Sequence, residues 1–265
     1  MSTAPPLGHA VAPAAGEPLA TSAEPLLEVE GLTKRFGGVS AVSGTTFSVG
    51  TGTVTGLIGP NGSGKTTVFN VITGYLRADA GSVRYAGSLV RRPNPRRLYR
   101  RGLSRTFQQA RVFPQMTLME NLVVGVTQPS WAMGRRAIGR EEGARAEEIL
   151  DRFGLGAYAR RVAGDLSFGQ RKLLEFATVL MCRPRLVLLD EPASGVNPVM
   201  VEQMERHIRE VHAEGVTFLV VEHDMNLVMR LCDPIVVLDH GAKIAEGHPD
   251  DVRADPAVLD AYLGD

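Results

Sequence analysis

The segment Gly59–Thr66, with the sequence Gly-Pro-Asn-Gly-Ser-Gly-Lys-Thr, constrains the fold of this chain more than any other feature. An apolar run, Val54–Ile58, precedes it and predicts a buried strand, whereas Thr66–Ile72 predicts a helix. Glycine lets the backbone wrap closely around phosphate oxygens, and the amides of a helix N-terminus attract negative charge. The pattern therefore predicts a phosphate-binding loop, called the phosphate loop below, between a strand and a helix.

The phosphate loop predicts contacts to each part of a nucleoside triphosphate. Lys65 is expected to reach the β- and γ-phosphates, Thr66 to ligate Mg²⁺ and Thr67 to contact the α-phosphate. Backbone amides of the loop are expected to form a concave anion site. The other residues of this predicted site are Gly59, Asn61, Gly62, Ser63 and Gly64. The alternative is a chance glycine-rich turn, which is disfavoured because every defined position of the motif is matched.

A second apolar run, Leu186–Leu189, ends in the carboxylates Asp190 and Glu191. A short continuous apolar run is typical of a parallel strand that is buried on both faces. Asp190 is predicted to hold Mg²⁺ through water. Glu191 points the other way along the strand end and is predicted to polarise the attacking water beside the γ-phosphate. The alternative is a helix that starts at Asp190-Glu191-Pro192, but the phosphate loop favours the Mg²⁺ site.

Two further residues have side chains suited to the roles that phosphoryl transfer leaves open. Hydrolysis depends on positioning the water and on sensing the γ-phosphate. Gln108 lies in Thr106-Phe107-Gln108-Gln109, and His223 follows the apolar run Thr217–Glu222. Gln108 is also a predicted Mg²⁺ ligand. Each would be unremarkable alone, since a single glutamine is usually a surface residue and a single histidine is usually structural.

In this order the motifs resemble the ATP-binding cassette (ABC) ATPases. The segment Leu166–Gln170, called the signature segment below, looks like the family signature LSGGQ with Phe168 in place of a glycine. The resemblance implies that Ser167 and Gly169 contact the γ-phosphate of the ATP bound by the other subunit. It also implies that Phe36 stacks on adenine. Gln108 matches the Q-loop glutamine of the family, and His223 matches its switch histidine.

A closer resemblance is to the ATP-binding subunits of bacterial branched-chain amino-acid importers and their amide or urea relatives. The segments that carry it are 34–42, 104–108, 166–170, 193–198 and 261–264. This subfamily tolerates an aromatic residue at position 168. Asn197 departs from the wider family, in which many members carry an aspartate in this loop. Any cross-subunit role that depends on that charge is therefore in doubt.

The resemblance covers residues 26–265 and implies an α/β fold, the P-loop NTPase fold of the ABC ATPases. This fold has a mostly parallel core sheet, an N-terminal antiparallel β-subdomain and a helical subdomain, inserted here at about 91–165. Apolar periodicity predicts helices over 142–153, 168–181 and 199–213. Residues 1–25 are rich in Ala and Pro and predict a disordered tail. The sequence lacks the basic and apolar regions of a signal peptide, so secretion is not expected.

The charge balance does not indicate a basic nucleic-acid surface, because 29 Lys and Arg residues match 29 Asp and Glu residues. No nucleic-acid partner is therefore expected. An arginine-rich stretch is interpreted as a solvated helix rather than a phosphate-binding surface, because it has little aromatic interleaving. Its arginines are Arg91, Arg92, Arg96, Arg97, Arg100, Arg101 and Arg105. No apolar run is long enough to span a membrane.

The resemblance implies an ATP hydrolase that drives import of a small polar solute, in particular branched-chain amino acids. Its implied partners are two transmembrane permease subunits, a second similar ATPase and, indirectly, a solute-binding protein. A heterodimer is implied and a homodimer stays open. The implied location is cytoplasmic, at the inner face of the cell membrane.

Three alternatives to an importer share part of this pattern of motifs. One is the ATPase of a lipopolysaccharide-export-type system, which Phe168 argues against mildly. Another is an ABC ATPase of DNA repair or translation, for which the chain lacks a coiled-coil insertion or a second cassette. The third is a small-molecule kinase that shares only the phosphate loop. Such a kinase would not need the signature segment.

Overall fold

A computed structural model describes residues 25–91, 93–124, 126 and 139–263. The predicted tail lies outside the described residues except for Pro25, as do Arg92 of the arginine-rich stretch and Gly264 of the C-terminal motif. Pro25 is the first residue of a strand rather than the last residue of a tail. A strand tolerates proline at its first position, where the missing N–H is not needed.

The described residues form ten strands, nine α-helices and two short 3-10 helices, Gly156–Tyr158 and Ala163–Asp165. The strands and α-helices are numbered here in chain order. The strands are β1 (Pro25–Phe36), β2 (Val39–Gly50), β3 (Val54–Ile58), β4 (Ala80–Tyr85), β5 (Ser88–Leu89), β6 (Leu103–Arg105), β7 (Leu186–Asp190), β8 (Thr217–Val221), β9 (Ile235–Asp239) and β10 (Ala242–Gly247). The helices are α1 (Lys65–Ile72), α2 (Pro95–Arg100), α3 (Leu118–Val124), α4 (Arg140–Arg152), α5 (Phe168–Leu180), α6 (Pro198–Ala213), α7 (Met225–Leu231), α8 (Pro249–Ala254) and α9 (Pro256–Leu263).

The core sheet has the strand order β10-β9-β3-β8-β7-β6. All neighbouring strands are parallel apart from β10, which pairs with β9 in the antiparallel direction. The predicted mostly parallel core sheet is therefore confirmed. Since β3, β6, β7 and β8 run in one direction, their carboxyl ends lie at the same edge of the sheet.

A second sheet, with the order β2-β1-β4-β5, is antiparallel throughout. It is the N-terminal antiparallel β-subdomain that the resemblance implied. Two hydrogen bonds join it to the turn between β9 and β10: the Ser43 N–H and the Thr45 hydroxyl both donate to the Gly241 carbonyl oxygen at 2.7 Å. The two sheets are thus held together beside the phosphate loop, which follows β3.

The core sheet is covered on both faces, which explains its uninterrupted apolar runs. Along β7, Leu186 and Leu188 pack in a cluster with the antiparallel sheet and α1. Val187 and Leu189 pack in a second cluster with α5 and α6. Successive side chains point to opposite faces of a strand, so a strand covered on both faces needs an apolar residue at each position.

The region predicted as the helical subdomain, about 91–165, contains a strand of the core sheet. β6 pairs with β7 and separates the short helix α2 from the helices that follow. Helix α4 buries Ala146, Ile149 and Leu150, the face that its periodicity predicts. A strand of three residues leaves no periodicity for a sequence pattern to detect. We therefore propose that the helical subdomain begins at α3 rather than near residue 91.

Candidate active site

Four strands of the core sheet end beside one another, and the loops after them carry most of the predicted site residues. The phosphate loop follows β3, and Gln108 lies in the loop after β6. Asp190 ends β7, Glu191 follows it, and His223 lies just after β8. Open α/β sheets bind ligands in the crevice outside the carboxyl ends of their strands. The topology thus brings residues that are far apart in sequence to one edge of the sheet.

Two glycines of the phosphate loop lie where no side chain can be accommodated. A β-carbon at Gly59 would collide with the carbonyl oxygen of Leu238, and one at Gly64 would collide with that of Ala41. Both glycines also have positive φ angles, 147° and 100° respectively. Only glycine adopts such angles without strain. The loop is therefore packed tightly against β9 and β2 while its other side stays open.

Lys65 folds over the phosphate loop. Its Nζ donates to the carbonyl oxygens of Gly59 and Pro60, both at 2.7 Å. Burial lowers the pKa of Lys65, while the nearby carboxylates of Glu191 and Asp190 act to raise it. The Lys65 ammonium is therefore close enough to the carboxylates at the end of β7 to interact with them electrostatically. Phosphate oxygens are the ligands that would best replace the two carbonyl oxygens.

Helix α1 begins at Lys65, and within the described part of the chain no side chain caps its first turn. Uncapped amides at a helix N-terminus, together with the positive end of the helix dipole, suit a phosphate group. Ser63 is buried, with its Oγ 3.3 Å from Lys65 Nζ. The other predicted contacts of this region, all at least partly exposed, are Asn61, Gly62, Thr66 and Thr67.

Glu191 is the point at which the loops after β6, β7 and β8 meet. Gln108 Nε2 donates to Glu191 Oε2 at 2.8 Å, and His223 Nε2 lies 2.7 Å from Glu191 Oε1. The structure thus brings the three predicted catalytic residues together. The Glu191 backbone has a φ of 49°, in the left-handed region that glutamate rarely adopts. Such a conformation persists where the neighbouring structure imposes it, which is common at active sites.

Asp190 forms a buried ion pair that the sequence did not predict. Arg105 Nη2 lies 2.6 Å from Asp190 Oδ2, and each side chain is 6% exposed. Arg105 also donates to the side chains of Asn70 and Thr73 and lies over the Phe107 ring. The interpretation of the arginine-rich stretch as a solvated helix is wrong for Arg105. This residue ends β6, next to the end of β7, and is therefore buried.

The rest of the described arginine-rich stretch divides into two groups. Arg96, Arg97 and Arg100 lie on α2 and are exposed, as a solvated helix would have them, and Arg91 is exposed ahead of α2. Arg101 follows α2 and donates to the carbonyl oxygen of Tyr85 at 2.7 Å, which fastens the end of α2 to β4. This stretch therefore contributes to structure as well as to the surface.

The three predicted Mg²⁺ ligands line one cleft with a volume of about 500 Å³. They are Thr66, Gln108 and Asp190. Hydroxyl, amide and carboxylate oxygens suit Mg²⁺, which in nucleotide sites is held by one or two carboxylates and by the phosphates. Within the described ranges, no group of three or more His, Cys, Asp or Glu residues could hold a metal ion. The donor set of Thr66, Gln108 and Asp190 fits a Mg²⁺ ion that the phosphates of a nucleotide also help to hold.

Two buried charged residues of α5 lie behind the cleft. Glu175 Oε1 accepts from the N–H of Phe107 at 3.0 Å and from the N–H of Arg111 at 3.3 Å. Burial raises the pKa of Glu175 to about 7. Lys172 Nζ donates to the carbonyl oxygen of Glu191 at 2.6 Å, and burial lowers its pKa. Sequence reasoning missed both residues, although a charge among the apolar residues of a buried helix was a usable signal.

Glu222 is a fourth buried acid at this site, after Asp190, Glu191 and Glu175. It accepts from the N–H of Ala193 at 2.6 Å and from the N–H of His223 at 3.0 Å. Burial raises its pKa, and the hydrogen bonds from backbone N–H groups oppose that rise. Glu222 therefore ties the loop after β7 to the loop after β8, and so fixes the backbone on which His223 stands.

The signature segment begins α5 at the surface. Ser167 Oγ accepts from the N–H of Gln170 at 3.3 Å, and Gln170 Oε1 accepts from the N–H of Ser167 at 3.0 Å. This capping box secures the first turn of the helix. In the part of the chain that the structure describes, no hydrogen bond joins Ser167 or Gly169 to the phosphate loop. Their contact with a nucleotide bound by another subunit stays a prediction.

Asn197 has a structural role that needs no charge. Its side chain accepts from the N–H of Met200 at 2.9 Å and caps α6, which begins at Pro198. Asparagine and aspartate cap helices about equally well. The alternative in which a helix starts at Asp190 is wrong, because the chain turns after β7 and the helix begins only at Pro198.

Phe36 ends β1 and is 48% exposed. Lys34 Nζ lies 5.5 Å from the centroid of its ring. An aromatic side chain with this exposure contributes little to the core. The exposed part of the ring is therefore available for the predicted stacking on adenine.

Replacing Phe36 with alanine should weaken ATP binding and leave the nucleotide-free melting temperature nearly unchanged. Stacking of a base on an aromatic ring contributes about 1–3 kcal/mol, and Phe36→Ala removes it. Phe36→Tyr keeps the ring and is the matched control, with affinity near that of the wild type. Titration with a fluorescent ATP analogue measures the effect. Unchanged affinity in the alanine variant would rule out the stacking role.

Comparison with protein families gives two matches along the chain. The model described as "ABC transporter" matches residues 42–194. The model described as "Branched-chain amino acid ATP-binding cassette transporter" matches residues 242–265. The first match spans the phosphate loop, the signature segment and the carboxylates after β7, and the second covers β10, α8 and α9.

Curated relatives match over nearly their whole length. The high-affinity branched-chain amino acid transport ATP-binding protein BraF of Pseudomonas aeruginosa is 41% identical over 251 residues, which are 91% of this chain and 98% of BraF. The probable branched-chain amino acid transport ATP-binding protein LivG of Methanocaldococcus jannaschii is 38% identical, with the same coverage of both chains.

Solved structures with the same fold include two crystal structures of ATP-binding cassettes of ABC transporters. A nucleotide-free cassette is 36% identical with a TM-score of 0.82, and a cassette in its ADP conformation is 37% identical with a TM-score of 0.83. Each comparison covers 91% of this chain and 100% of the solved chain. The implied fold is thus confirmed over the greater part of the chain.

Proposed function

The chain belongs to the ABC transporter ATPases, and on that premise we propose that it is the ATP-binding subunit of an importer of branched-chain amino acids. Proteins of this family bind nucleotide and hydrolyse ATP. The observation that carries the catalytic part is the meeting of Gln108 and His223 on the carboxylate of Glu191, at the same sheet edge as the phosphate loop. These groups suit water activation beside a bound triphosphate.

The proposed division of labour follows from the geometry of the site. The phosphate loop amides and Lys65 hold the triphosphate, and Phe36 holds the adenine. Thr66, Gln108 and Asp190 would hold Mg²⁺, which neutralises charge that develops on the phosphates. Glu191 accepts a proton from the attacking water as its general base. His223 and Gln108 orient the Glu191 carboxylate and, through it, the attacking water.

Part of the proposed site comes from a second subunit. Ser167 and Gly169 lie at the surface, at the N-terminus of α5, where a hydroxyl, an amide and the helix dipole suit a γ-phosphate. The phosphate loop contacts only one side of a triphosphate, so a second chain is needed to exclude water from the other side. We propose a dimer with a similar ATPase, with this chain itself as the other possible partner.

The proposed location is the inner face of the cell membrane, against two permease subunits. The described helices include none that is long and apolar enough to cross a membrane. The two permeases would supply the membrane-spanning helices through which the solute passes. An external solute-binding protein would deliver the solute to them.

The branched-chain amino acids are proposed as solutes because of the relatives. BraF and LivG are named for transport of these amino acids, and residues 242–265 match the module of that name. The same match favours an importer over a lipopolysaccharide-export ATPase. The solute itself would be bound by the permeases and the binding protein rather than by this chain.

Uptake in intact cells tests this function. Cells whose only copy of the chain carries Glu191→Gln should lose ATP-driven uptake of radiolabelled leucine, isoleucine and valine. Cells with Glu202→Gln, the same chemical change at an exposed position of α6, should keep it. Normal uptake of all three amino acids in cells whose Glu191→Gln chain no longer hydrolyses ATP would overturn the proposed solutes. Loss of surface lipopolysaccharide instead would favour the export alternative.

A further inference from the structure

Helix α5 contacts the backbone of Glu191 and the loop that carries Gln108, two of the three residues that meet at the proposed catalytic centre. Lys172 holds the Glu191 backbone through its carbonyl oxygen, at 2.6 Å. Glu175, one turn further along, uses a single carboxylate oxygen to accept from the N–H groups of Phe107 and Arg111. Phe107 and Arg111 lie on either side of Gln108 in sequence. The Glu175 side chain therefore holds the Gln108 loop at two points, one before and one after Gln108.

The contacts form a closed ring. From Lys172 the ring passes to Glu191, from the Glu191 carboxylate to Gln108 at 2.8 Å, and from the neighbouring Phe107 back to Glu175 on α5. Lys172 and Glu175 are respectively 4% and 6% exposed. Burying a charged group is unfavourable unless it is hydrogen-bonded. Apolar side chains would fill this part of the core at a lower free-energy cost than Lys172 and Glu175 do.

We propose that Lys172 and Glu175 are positioning residues through which α5 holds Gln108 against Glu191. Glu191 has a left-handed backbone, which needs neighbours to impose it. Lys172 donates a hydrogen bond to the carbonyl oxygen of Glu191. The N–H of Glu191 donates to the carbonyl oxygen of Val221 at 2.9 Å. Glu175 accepts hydrogen bonds from Phe107 and Arg111, and so fixes the position of the Gln108 loop relative to α5. The inference rests on the proposed role of Glu191 as the general base.

One consequence concerns the signature segment. Helix α5 starts at the capping box of Ser167, and Lys172 and Glu175 follow within its first turns. A rigid helix moves as a unit, so a displacement at the signature segment also displaces both fastening points. The alignment of Gln108 with Glu191 would therefore depend on what the signature segment contacts.

The test compares variants that remove these contacts with variants that keep them. Lys172→Met and Glu175→Leu remove the donor and the acceptor at similar side-chain volume. Lys172→Arg and Glu175→Gln retain a donor and an acceptor oxygen at the same places. For each full-length variant, single-turnover hydrolysis, affinity for a fluorescent ATP analogue and melting temperature are measured in the assembly in which the wild-type chain is active.

The removal variants should lose about 10- to 100-fold in the hydrolysis rate, the range that a small misplacement of reacting groups produces. Their ATP affinity should stay close to that of the wild type, and the retention variants should hydrolyse ATP normally. The double variant Lys172→Met/Glu175→Leu should lose little more hydrolysis rate than either single variant, because one substitution already breaks the ring of hydrogen bonds. In a Glu191→Gln background, Lys172→Met should have no further effect.

Normal hydrolysis in both folded removal variants would overturn the inference, as would a full additional loss in the Glu191→Gln background. If the removal variants do not fold, Glu175→Asp replaces them, since it keeps the charge and withdraws the oxygen by one methylene. That variant must lose hydrolysis with its melting temperature preserved, and normal hydrolysis overturns the inference. Measuring Glu191→Gln in parallel separates this inference from the proposed function. If Glu191→Gln loses hydrolysis while the Lys172 and Glu175 variants are normal, the positioning role is wrong and the role of Glu191 as base stands.

Discussion

Replacing Glu191 with glutamine should lower the rate of ATP hydrolysis by about 10²–10⁴, the usual effect of removing a general base. Glutamine keeps the shape of the side chain and can still accept a hydrogen bond from Gln108. ATP binding should therefore be retained. Loss of the repulsion between the carboxylate and the γ-phosphate should also favour the ATP-bound dimer. Single-turnover hydrolysis and nucleotide titration measure the two effects.

Glu202→Gln is the matched control, because Glu202 is exposed on α6 and lies outside the proposed site. It should hydrolyse ATP at the wild-type rate. Near-normal turnover by the Glu191→Gln variant would remove Glu191 from the role of base. In that case the carboxylate that meets Gln108 and His223 would have only a structural function.

A mixture of two inactive variants should regain hydrolysis if the site is shared between chains. Lys65→Ala damages the phosphate loop, and Ser167→Arg places a bulky charged group at the signature segment. Each variant alone should be nearly inactive. A mixed dimer of this chain would assemble one site from the undamaged phosphate loop of one subunit and the undamaged signature segment of the other.

The chain that carries both changes is the control, and it should stay inactive when it is mixed with either single variant. If this chain pairs only with a related ATPase, the two damaged copies cannot complement each other. The changes are then placed on opposite members of that pair. Failure to recover activity in a verified mixed dimer of either kind would contradict the shared site.

Much of the fold follows from local patterns in the sequence. The runs Val54–Ile58 and Leu186–Leu189 predict β3 and β7, because strands buried on both faces carry apolar residues at successive positions. Helix α5 was predicted over 168–181 and spans Phe168–Leu180. The phosphate loop was identifiable because its residue types follow a fixed spacing between a strand and a helix. Such features depend on neighbouring residues, which a single sequence displays.

The unpredicted parts depend on contacts between distant segments. β6 is too short to show a period, and its place beside β7 is decided by sheet pairing. The ion pair of Arg105 with Asp190 follows from that pairing, and so could not be predicted without it. The hydrogen bonds of Lys172 and Glu175 join α5 to loops far along the chain. Sequence alone showed only that two charged residues interrupt an apolar helix.

We propose that the phosphate loop, Glu191 and an opposing signature segment together form one hydrolytic site. The ATPase rate per chain, measured across a range of protein concentrations with the association state followed by sedimentation, tests it most directly. The rate per chain should rise as dimers form and then level off, either for this chain alone or at a fixed ratio to its paired ATPase. A monomer that hydrolyses ATP at the full rate, independent of concentration, would contradict the claim.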